Sequence, residues 1–466
     1  MKIDQLYTKC LAEAAYYIES EGEAAIIDPL RETEPYIEMA KENNTKIKYV
    51  FETHFHADFV SGHIDLAKET GATIVYGPGA KTNYNIHEAK DGETFKIGKL
   101  TIKVLHTPGH TPESTTYLLL DENGKEHCIF TGDTLFIGDV GRPDLAVKGD
   151  LTQEDLAGLL YDSLRNKIMT LPDEVIVYPA HGAGSACGKN MSKETFSTLG
   201  EQKQSNYALQ DLTKDDFIAQ VTDGIAPPPQ YFPKNAMMNK NGYSSVNEVL
   251  EAAKIGLDVP SFKDKMEGAI ILDVRHQDEF RKGFIPNSIN IPLDGSFALW
   301  VGTLIEDIHA PILIISNEDR VQEAVLRLSR VGYDNTIGYL LGGITAWTEA
   351  NEQVNTMDQV SVNELEIKLN EGKLKVLDVR KPSEYEAEHV ENAINFPLDY
   401  INENIEKLDK SATYFVHCKS GYRSMAASSI LRKNGFNNII DIYGGIDAIL
   451  ESNIKVTDYV CPSTKL

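Results

Sequence analysis

An internal repeat in the second half of the 466-residue chain constrains the fold more than any other sequence feature. The run ILDVRHQDEFRKGFIPNSINIPL begins at Ile271 and returns as VLDVRKPSEYEAEHVENAINFPL from Val376, with aligned Asp, Asn and Pro residues. A second shared block closes each copy, LLGGITAW in the first and IYGGIDAI in the second. Each copy alternates strand-like and helix-like runs, which is typical of a small parallel α/β domain. We predict two such domains, at residues 241–353 and 354–466.

The sequence before the repeats, residues 1–240, predicts a domain of a different kind. It alternates β-rich runs with helical stretches, and several β-rich runs end at a His or Asp that precedes a loop with Gly or Pro. The predicted strands are AAYYIES, EAAIIDP, KYVFETH, TIVYG, LTIKVLHTPGH, HCIFTGD and EVIVYPAH. This layout gathers polar side chains on one rim of a sheet. Near residue 225 the proline run in IAPPPQYFPK predicts a linker or a strapping segment.

The acidic composition limits the partners of the chain. Lys and Arg number 45 and Asp and Glu number 70, which gives a formal charge of -25. Such a surface repels phosphate backbones, so we expect no nucleic acid partner. The N-terminus lacks a basic start before an apolar run, and no apolar stretch approaches the roughly 20 residues that cross a bilayer, so we expect neither a signal peptide nor a membrane partner. Five widely spaced cysteines without a CxxC pair favour a reducing cytoplasm.

Six side chains with metal-binding nitrogen or oxygen atoms follow the predicted strands of the first domain. Three of them lie close together in ETHFHADFVSGH, and the others lie in TPGHT, FTGDT and YPAHG. The six residues are His54, His56, Asp58, His110, Asp133 and His181. Any one of them alone is more often a surface or hydrogen-bonded residue than a ligand. Together at strand ends on one rim, they predict a metal site.

The motifs HxHxD, TPGHT, TGD and PAH, in this order, resemble the metallo-β-lactamase superfamily. The resemblance implies an αββα sandwich with the metal at its rim, and thus a chain of α+β and α/β domains. The usual pattern of the family is HxHxDH, whose last His serves a second metal, and this chain has Phe59 at that position. Phenylalanine has no ligand atom. We therefore expect an impaired two-zinc hydrolytic site and a surviving one-metal site.

The surviving ligand set consists of two imidazoles and one carboxylate, the set that non-haem Fe(II) oxygenases use. The segment GRPD at residues 141–144 resembles the GRxD element of the persulfide dioxygenases in this superfamily. That resemblance implies one Fe(II) per chain, with the ligands His54, His110 and Asp133. The other rim residues, which would orient the ligands or contact substrate, are His56, Asp58 and His181.

Two further residues near the predicted metal have open roles. Arg142 holds a ligand loop, faces an anionic substrate, or forms a structural ion pair with Asp144. Cys187 lies in a Gly-rich loop after His181, where it either relays sulfur near the iron or, as the more common case, is a small buried residue. Dioxygenases that act on glutathione persulfide often continue PAHDY, whereas this chain continues with Gly182. The carrier thiol is therefore left open.

The second repeat copy contains a cysteine motif, YFVHCKSGYRS. An apolar strand leads into a tight loop and then a helix, so the thiol faces backbone N–H groups and a helix N-terminus, which favour thiolate. The LDVR opening, the closing GG and CxxGxRS resemble rhodanese domains. The C-x4-R spacing is shorter than the C-x5-R of related phosphatases and suits sulfur. By this resemblance the catalytic residues are Cys418 and Arg423, and the sulfur-binding loop adds Lys419, Ser420, Gly421, Tyr422 and Ser424.

The first repeat copy lacks this chemistry. Its equivalent stretch runs from Ser316 to Arg320, contains no cysteine and is one residue shorter. Glu318 and Asp319 in this stretch would oppose a thiolate. We interpret the copy as a scaffold or a partner surface.

Together these resemblances imply an iron-dependent enzyme that oxidises a low-molecular-weight persulfide with O₂ to sulfite. Cys418 would pass sulfane sulfur to sulfite and form thiosulfate, or would use thiosulfate to make persulfide. A glyoxalase II-like thioester hydrolase shares THxH, TPGHT and FTGD but needs two metals, which Phe59 opposes. A non-catalytic sulfur carrier, in which Cys418 alone matters, is disfavoured by the intact His and Asp set. The family resemblance also implies a homo-oligomer.

Overall fold

The computed structural model describes residues 1–146, 151–372 and 374–461. The chain divides into two compact units, Met1–Glu248 with Leu328–Gly332 and Val249–Arg327 with Tyr333–Leu466. The first unit contains the predicted metal motifs and the second contains the cysteine motif. None of the helices in the described ranges combines the length and the hydropathy that a bilayer-spanning helix needs.

Two mixed β-sheets form the centre of the first unit. In spatial order, the first sheet contains β1 (Lys2–Thr8), β2 (Glu13–Ser20), β3 (Glu23–Ile27), β4 (Lys46–Phe51), β5 (Thr73–Tyr76) and β6 (His87–Glu88). In spatial order, the second sheet contains β7 (Thr94–Ile97), β8 (Leu100–His106), β9 (Thr115–Leu120), β10 (Glu126–Gly132), β11 (Ile176–Pro179) and β12 (Ser197–Thr198). The seven predicted strands all appear, and five strands are additional to them: β1, β6, β7, β9 and β12.

Side-chain alternation along the strands produces the layers. On β2, Tyr16 and Ile18 join the core between the sheets, whereas Tyr17 joins the core beneath the helices of the first sheet. The helices on the first sheet are α1 (Glu34–Glu42) and α2 (His63–Thr70). Those on the second sheet are α3 (Gln153–Ser163), which continues as a π-helical turn over Leu164–Ile168, α4 (Leu199–Ser205) and α5 (Lys214–Thr222). The predicted αββα sandwich is confirmed.

Aromatic packing between the sheets anchors the strands that lead to the rim. Phe51 ends β4 and lies against Tyr117 of β9, with ring centroids 4.8 Å apart. Phe130 of β10 lies against Tyr16, with ring centroids 4.9 Å apart. Fully burying one such ring contributes roughly 1.5–3 kcal/mol. The strand ends that carry the predicted metal residues are therefore held by a rigid core.

The segment after the proline run straps the first unit. Helix α6 (Phe232–Asn241) follows it, and the next helix is α7 (Val246–Ala253). Asn239 of α6 is fully buried, and its side-chain amide donates to the carbonyl oxygens of His56 and Phe59, at 2.8 Å each. Its side-chain oxygen accepts from the backbone N–H of Ser61 at 2.9 Å. The segment thus clamps the loop that carries the HxHxD motif.

The second unit contains two five-stranded sheets, and every strand pair in them is parallel. The strands of the first are β13 (Gly256–Leu257), β14 (Ile270–Asp273), β15 (Ile289–Asn290), β16 (Ile312–Ile315) and β17 (Thr336–Leu340). Those of the second are β18 (Asp358–Val360), β19 (Lys375–Asp378), β20 (Ile394–Asn395), β21 (Tyr414–His417) and β22 (Ile439–Ile442). Their spatial orders, β13-β17-β16-β14-β15 and β18-β22-β21-β19-β20, are equivalent. The predicted pair of parallel α/β domains is confirmed.

Ten α-helices among the described residues connect or flank these strands. In the first copy they are α8 (Val259–Asp264), α9 (Gln277–Phe280), α10 (Phe297–Leu304), α11 (Val321–Ser329) and α12 (Gly343–Glu349). In the second copy they are α13 (Val362–Glu371), α14 (Pro382–Ala387), α15 (Ile401–Asn404), α16 (Tyr422–Lys433) and α17 (Gly445–Leu450).

Candidate functional site

The ends of four strands bring the predicted metal residues to one rim. The strands and their last residues are β4 at Phe51, β8 at His106, β10 at Gly132 and β11 at Pro179. Within the second sheet, β8 and β10 both run antiparallel to β9, and β10 runs parallel to β11, so these three strands end at the same edge. The structure brings all six predicted His and Asp side chains together there, and all six are buried.

His54, His110 and Asp133 form the first group at this rim. One ligand atom from each residue lies within 4.8 Å of the others. The Nε2 atom of His110 is 3.4 Å from Oδ2 of Asp133, and the Nε2 atom of His54 is 3.8 Å from the same oxygen. Both distances exceed those of hydrogen bonds, so these atoms surround a common point and do not bond to each other.

Hydrogen bonds on the far side of each ring determine which nitrogen carries the proton. The Nδ1 atom of His110 donates to the carbonyl oxygen of Arg142 at 2.8 Å, because a carbonyl can only accept, and its Nε2 atom therefore presents a lone pair. The Nδ1 atom of His54 lies 2.9 Å from Oγ1 of Thr53, whose hydroxyl donates to Asp28 at 2.8 Å. His54 therefore also donates through Nδ1. Burial lowers the pKa of His54 well below its ordinary value, which keeps the ring neutral.

Asp133 consequently faces two lone pairs, and neither of its carboxylate oxygens has a hydrogen-bond partner among the described residues. An unpaired buried charge is costly, and buried carboxylates are normally paired or coordinate a metal. Two neutral imidazoles and a carboxylate around one point are suitable ligands for a divalent transition-metal ion. The arrangement fits a metal ion held by His54, His110 and Asp133.

His56, Asp58 and His181 form a second group beside the first. The Nε2 atom of His181 lies 3.4 Å from Oδ2 of Asp58 and 3.5 Å from Oδ1 of Asp133. Its Nδ1 atom donates to the carbonyl oxygen of Ala12 at 3.2 Å, so Nε2 again presents a lone pair. One oxygen of Asp133 therefore faces the first group, and the other faces the second.

His56 is surrounded by carboxylates. Its Nε2 atom lies 3.1 Å from Oδ1 of Asp28 and 3.7 Å from Oε2 of Glu52. Burial by itself would lower the pKa of His56, but the neighbouring carboxylates, Asp28 above all, raise it to about 10. Phe59 packs on this imidazole with ring centroids 4.4 Å apart. The residue at the last motif position thus contributes apolar packing in place of a ligand atom.

Four buried polar residues of this rim were not predicted from the sequence: Glu13, Asp28, Glu52 and Asn239. Asp28 and Glu52 directly follow β3 and β4, so the strand-end pattern that identified the histidines would also have identified them. Glu13 lies opposite His181 in an isolated β-bridge, and burial raises its pKa well above the ordinary value. Asn239 reaches the site from α6, far along the chain, and no local pattern marks it.

Arg142 is engaged in contacts that hold loops. Its guanidinium donates to both carboxylate oxygens of Asp144, at 2.6 and 2.7 Å, and to two backbone carbonyls. Its own carbonyl accepts from His110, and its amide donates to the carbonyl of Cys187. Three roles were considered for Arg142. The contacts favour two of them: a structural ion pair with Asp144, and a residue that holds the loop next to His110.

Cys187 lies beside the second group. Its Sγ atom and ligand atoms of Asp133 and His181 are all within 4.8 Å of one another. The thiol is buried, and burial raises its pKa well above the ordinary value, so the thiol form is favoured. Cys187 is therefore both a small buried residue and a neighbour of the metal-site residues, so its position is compatible with both interpretations.

The cysteine motif forms a tight loop between β21 and α16. Cys418 follows His417 directly and is buried, and the backbone N–H of Gly421 donates to its Sγ atom at 3.1 Å. Gly421 has a φ of +117°, a conformation that side chains rarely adopt. The hydroxyl of Ser424 donates to Asp441 at 2.7 Å and fixes the start of the helix. Lys419 and Ser420, the next two loop residues, are exposed.

Arg423 is held by a carboxylate of its own domain. Its guanidinium donates to the two oxygens of Glu384 at 2.6 and 2.9 Å. Burial opposes ionisation of Glu384, but the hydrogen bonds and charge of Arg423 lower its pKa below the ordinary value. The planar, bidentate contact orients the guanidinium and thereby the loop beside it.

The first repeat copy has an inert loop at the equivalent place. Ser316 follows β16, and Arg320 is neutralised by Asp294 and Glu323, with its shortest contact to each at 2.9 Å. Glu318 accepts from the backbone N–H of Gly342 at 2.9 Å. With no thiol and no free guanidinium in this loop, the copy lacks the groups for sulfur transfer.

A two-sheet sandwich with a buried His and Asp rim, followed along the chain by two parallel α/β domains, defines a metallo-β-lactamase-type domain fused to rhodanese-like domains. The profile of the metallo-beta-lactamase superfamily matches residues 8–181, and that of the rhodanese-like domain matches residues 258–350 and 361–452. The chain belongs to the metallo-β-lactamase superfamily and contains two rhodanese domains.

Its relatives include both enzymes considered for the first domain. The chain is 32% identical to the human mitochondrial persulfide dioxygenase ETHE1 over 212 residues, which are 45% of this chain and 74% of that protein. It is 34% identical over 178 residues to a probable hydroxyacylglutathione hydrolase of Schizosaccharomyces pombe, covering 37% of this chain and 64% of that protein. A crystal structure of a metallo-beta-lactamase from Staphylococcus aureus has a TM-score of 0.64 and 32% identity, and the match covers 73% of this chain and 98% of that one.

Proposed function

We propose that the first unit oxidises a low-molecular-weight persulfide at one iron ion and that the second unit transfers sulfane sulfur through Cys418. The first reaction converts R–S–SH, O₂ and H₂O into RSH, sulfite and two protons. The observation that carries the proposal is the packing of Phe59 on His56 beside an intact group of His54, His110 and Asp133. This combination favours a single metal with open positions over a pair of metals.

The residues around the metal prepare the site for this reaction. An Fe(II) ion held by His54, His110 and Asp133 would supply a centre that binds O₂ and sulfur. The carbonyl of Arg142 keeps His110 in the tautomer whose Nε2 atom faces that centre. The Nε2 atom of His181 is an available acceptor on the other side of Asp133, and we assign it the proton of the persulfide S–H group.

Sulfur transfer follows from the loop around Cys418. Its thiolate attacks the outer sulfur of R–S–SH, so that an S–S bond to Cys418 forms, the S–S bond of the substrate breaks and RS⁻ leaves. The Cys418 persulfide then loses its proton and passes its outer sulfur to sulfite, which releases thiosulfate and restores the thiolate. The N–H of Gly421 supports this chemistry because it donates to the sulfur that carries negative charge in both steps. In the reverse direction, thiosulfate charges Cys418 and an acceptor thiol becomes the persulfide.

A thioester hydrolase is the second candidate for the first unit. Asp58, His181 and one oxygen of Asp133 lie together, which favours a second ion, and a hydrolase of this superfamily uses two metals to hold and activate water. The similarity to hydroxyacylglutathione hydrolases supports the same reading.

Metal content and reaction type together test the proposal. We expect anaerobically purified protein to contain close to one Fe(II) per chain and to consume O₂ and form sulfite when given glutathione persulfide or coenzyme A persulfide. His110→Ala should lose both the metal and O₂ uptake. His87→Ala is the matched control, because His87 is an exposed histidine of the same unit that pairs with Glu93. Two tightly bound zinc ions with full hydrolysis of a glutathione thioester would instead establish the hydrolase.

A further inference from the structure

The sulfur-binding loop of the second repeat copy is in contact with the first copy through Tyr422. Tyr422 is the first residue of α16, between Gly421 and Arg423. Its hydroxyl donates to the carbonyl oxygen of Pro292 at 2.8 Å. Pro292 follows β15 of the copy that has no cysteine. A residue of the catalytic loop is thus bonded to the inert domain.

The ring of Tyr422 packs directly on a glycine of the inert copy. A Cβ atom on Gly295 would lie 2.7 Å from Cε2 of Tyr422, closer than any ordinary contact. Gly295 has a φ of +147°, which further favours glycine at this position. A second contact fixes the same helix, because the hydroxyl oxygen of Ser429 accepts from the backbone N–H of Asn290 at 3.0 Å. The helix is therefore seated on the inert copy at two places.

Tyr422 lies between the two contacts that form the sulfur site. On one side, the N–H of Gly421 donates to Sγ of Cys418 at 3.1 Å. On the other side, Arg423 is clamped by Glu384. Burial raises the pKa of Tyr422 well above its ordinary value, so its hydroxyl stays protonated and able to donate. A displacement of Tyr422 would move both contacts, because its backbone neighbours make them.

We propose that the cysteine-free rhodanese domain is a positioning element of the sulfur-transfer site: its Pro292 carbonyl and Gly295 hold Tyr422 so that the N–H of Gly421 stays on Cys418. The proposal rests on sulfur transfer through Cys418. It gives the inert copy a role in the reaction of its partner domain. Tyr422 acts through Gly421 and is therefore a positioning residue.

Tyr422→Phe in the full chain tests this role, since it removes the hydroxyl and keeps the ring. The assay is transfer of sulfur from thiosulfate to cyanide, with alkylation of Cys418 by iodoacetamide followed across pH by mass spectrometry. We expect kcat to fall about threefold to tenfold, as loss of one hydrogen bond predicts, with a smaller change in KM for thiosulfate. We also expect the alkylation profile to move to higher pH. Gly295→Ala should produce the same changes to a larger extent.

Tyr333→Phe is the matched control, because Tyr333 makes a buried hydroxyl-to-carbonyl hydrogen bond with Ile305 in the same inert copy. It should lower the melting temperature and leave kcat and the alkylation profile unchanged. If Tyr422→Phe behaves like this control, the contact is only structural and the proposal is overturned. Cys418→Ser distinguishes a failure of the proposed function from a failure of the positioning role. If sulfur transfer persists in this variant, Cys418 is not the sulfur carrier, whatever the result for Tyr422→Phe.

Discussion

The Nε2 atom of His110 and the Oδ2 atom of Asp133 lie 3.4 Å apart with no proton between them. The proton of His110 is on Nδ1, where the carbonyl of Arg142 accepts it. A lone pair and a carboxylate oxygen that face each other in a buried site repel unless a cation lies between them. This relationship is the physical basis for a metal at the rim, and it also shows why the group should lose its metal when either residue is replaced.

Phe59→His should turn the site toward two metals. It restores a ligand at the last position of the HxHxDH pattern, directly after Asp58 in the chain and against His56. We expect the zinc content of zinc-loaded protein to rise from one to two ions per chain. We also expect the rate of glutathione thioester hydrolysis to rise about tenfold, which corresponds to about 1.4 kcal/mol of transition-state stabilisation. Metal analysis and a thioester assay measure the two effects. Phe95→His is the control for burying an imidazole, because Phe95 lies in the core between the sheets. An unchanged metal content in Phe59→His would contradict the role of Phe59 in limiting the site to one metal.

Cys418→Ser should separate the two activities. A serine hydroxyl without a general base is a poor nucleophile and cannot form a persulfide, so thiosulfate formation should be lost. The first unit shares no ligand with this loop, and O₂ uptake with a small-molecule persulfide should continue while free sulfite accumulates. Oxygen uptake with quantified sulfite and thiosulfate measures both. If uptake collapses while iron content stays normal, sulfur reaches the iron through Cys418, and the proposed order is wrong.

Arg423→Lys should slow sulfur transfer about tenfold although it retains the charge. The guanidinium makes two hydrogen bonds with Glu384, and an ammonium group cannot reproduce that planar pair. The measurement is kcat for transfer from thiosulfate to cyanide. Arg432→Lys, at the far end of the same helix, is the control and should match the parent. Equal rates for Arg423→Lys and the parent would show that the charge suffices.

The stability of the protein should depend on pH through Asp441. Burial raises the pKa of its carboxyl to about 6, against the hydrogen bonds from Ser424 and Gln359. In the unfolded chain the pKa is about 3.9. The stabilising contribution of the protonated Asp441 carboxyl is therefore fully present below about pH 4 and is lost as the pH rises from about 4 to about 6, on the order of 3 kcal/mol. Asp441→Asn has no such loss.

The measurement for Asp441 is the melting temperature of parent and variant between about pH 3.5 and about pH 7.5, a range that includes both pKa values. The difference should grow in favour of Asp441→Asn as the pH rises. Asp358→Asn, an exposed substitution on the neighbouring strand β18, should show no such trend. A difference that stays constant with pH would mean that folding does not raise the pKa of Asp441.

Much of the rim was predictable because it depends on local order along the chain. A His or Asp that follows within a few residues of the end of a strand lies near the sheet edge, and His54, His110, Asp133 and His181 all follow this rule. Asp28 and Glu52 obey it too and were missed because no family motif includes them. Asn239 and Glu13 could not be predicted. Asn239 reaches the site from α6, and Glu13, at the start of β2, lies opposite His181 in an isolated β-bridge between segments that are distant in the chain.

By itself the sequence determined the class of each domain and the residues that carry chemistry. Hydrophobic periodicity specifies strands and helices locally, and the two LDVR repeats and the Cys418 loop are contiguous in the chain. The tertiary structure alone decided which partners those residues have. Arg142 is engaged with Asp144, Arg423 with Glu384, and Tyr422 with Gly295 and Pro292. Apart from the Asp144 pair, these contacts join segments that are distant in sequence, and they form only when packing sets the distance between the segments.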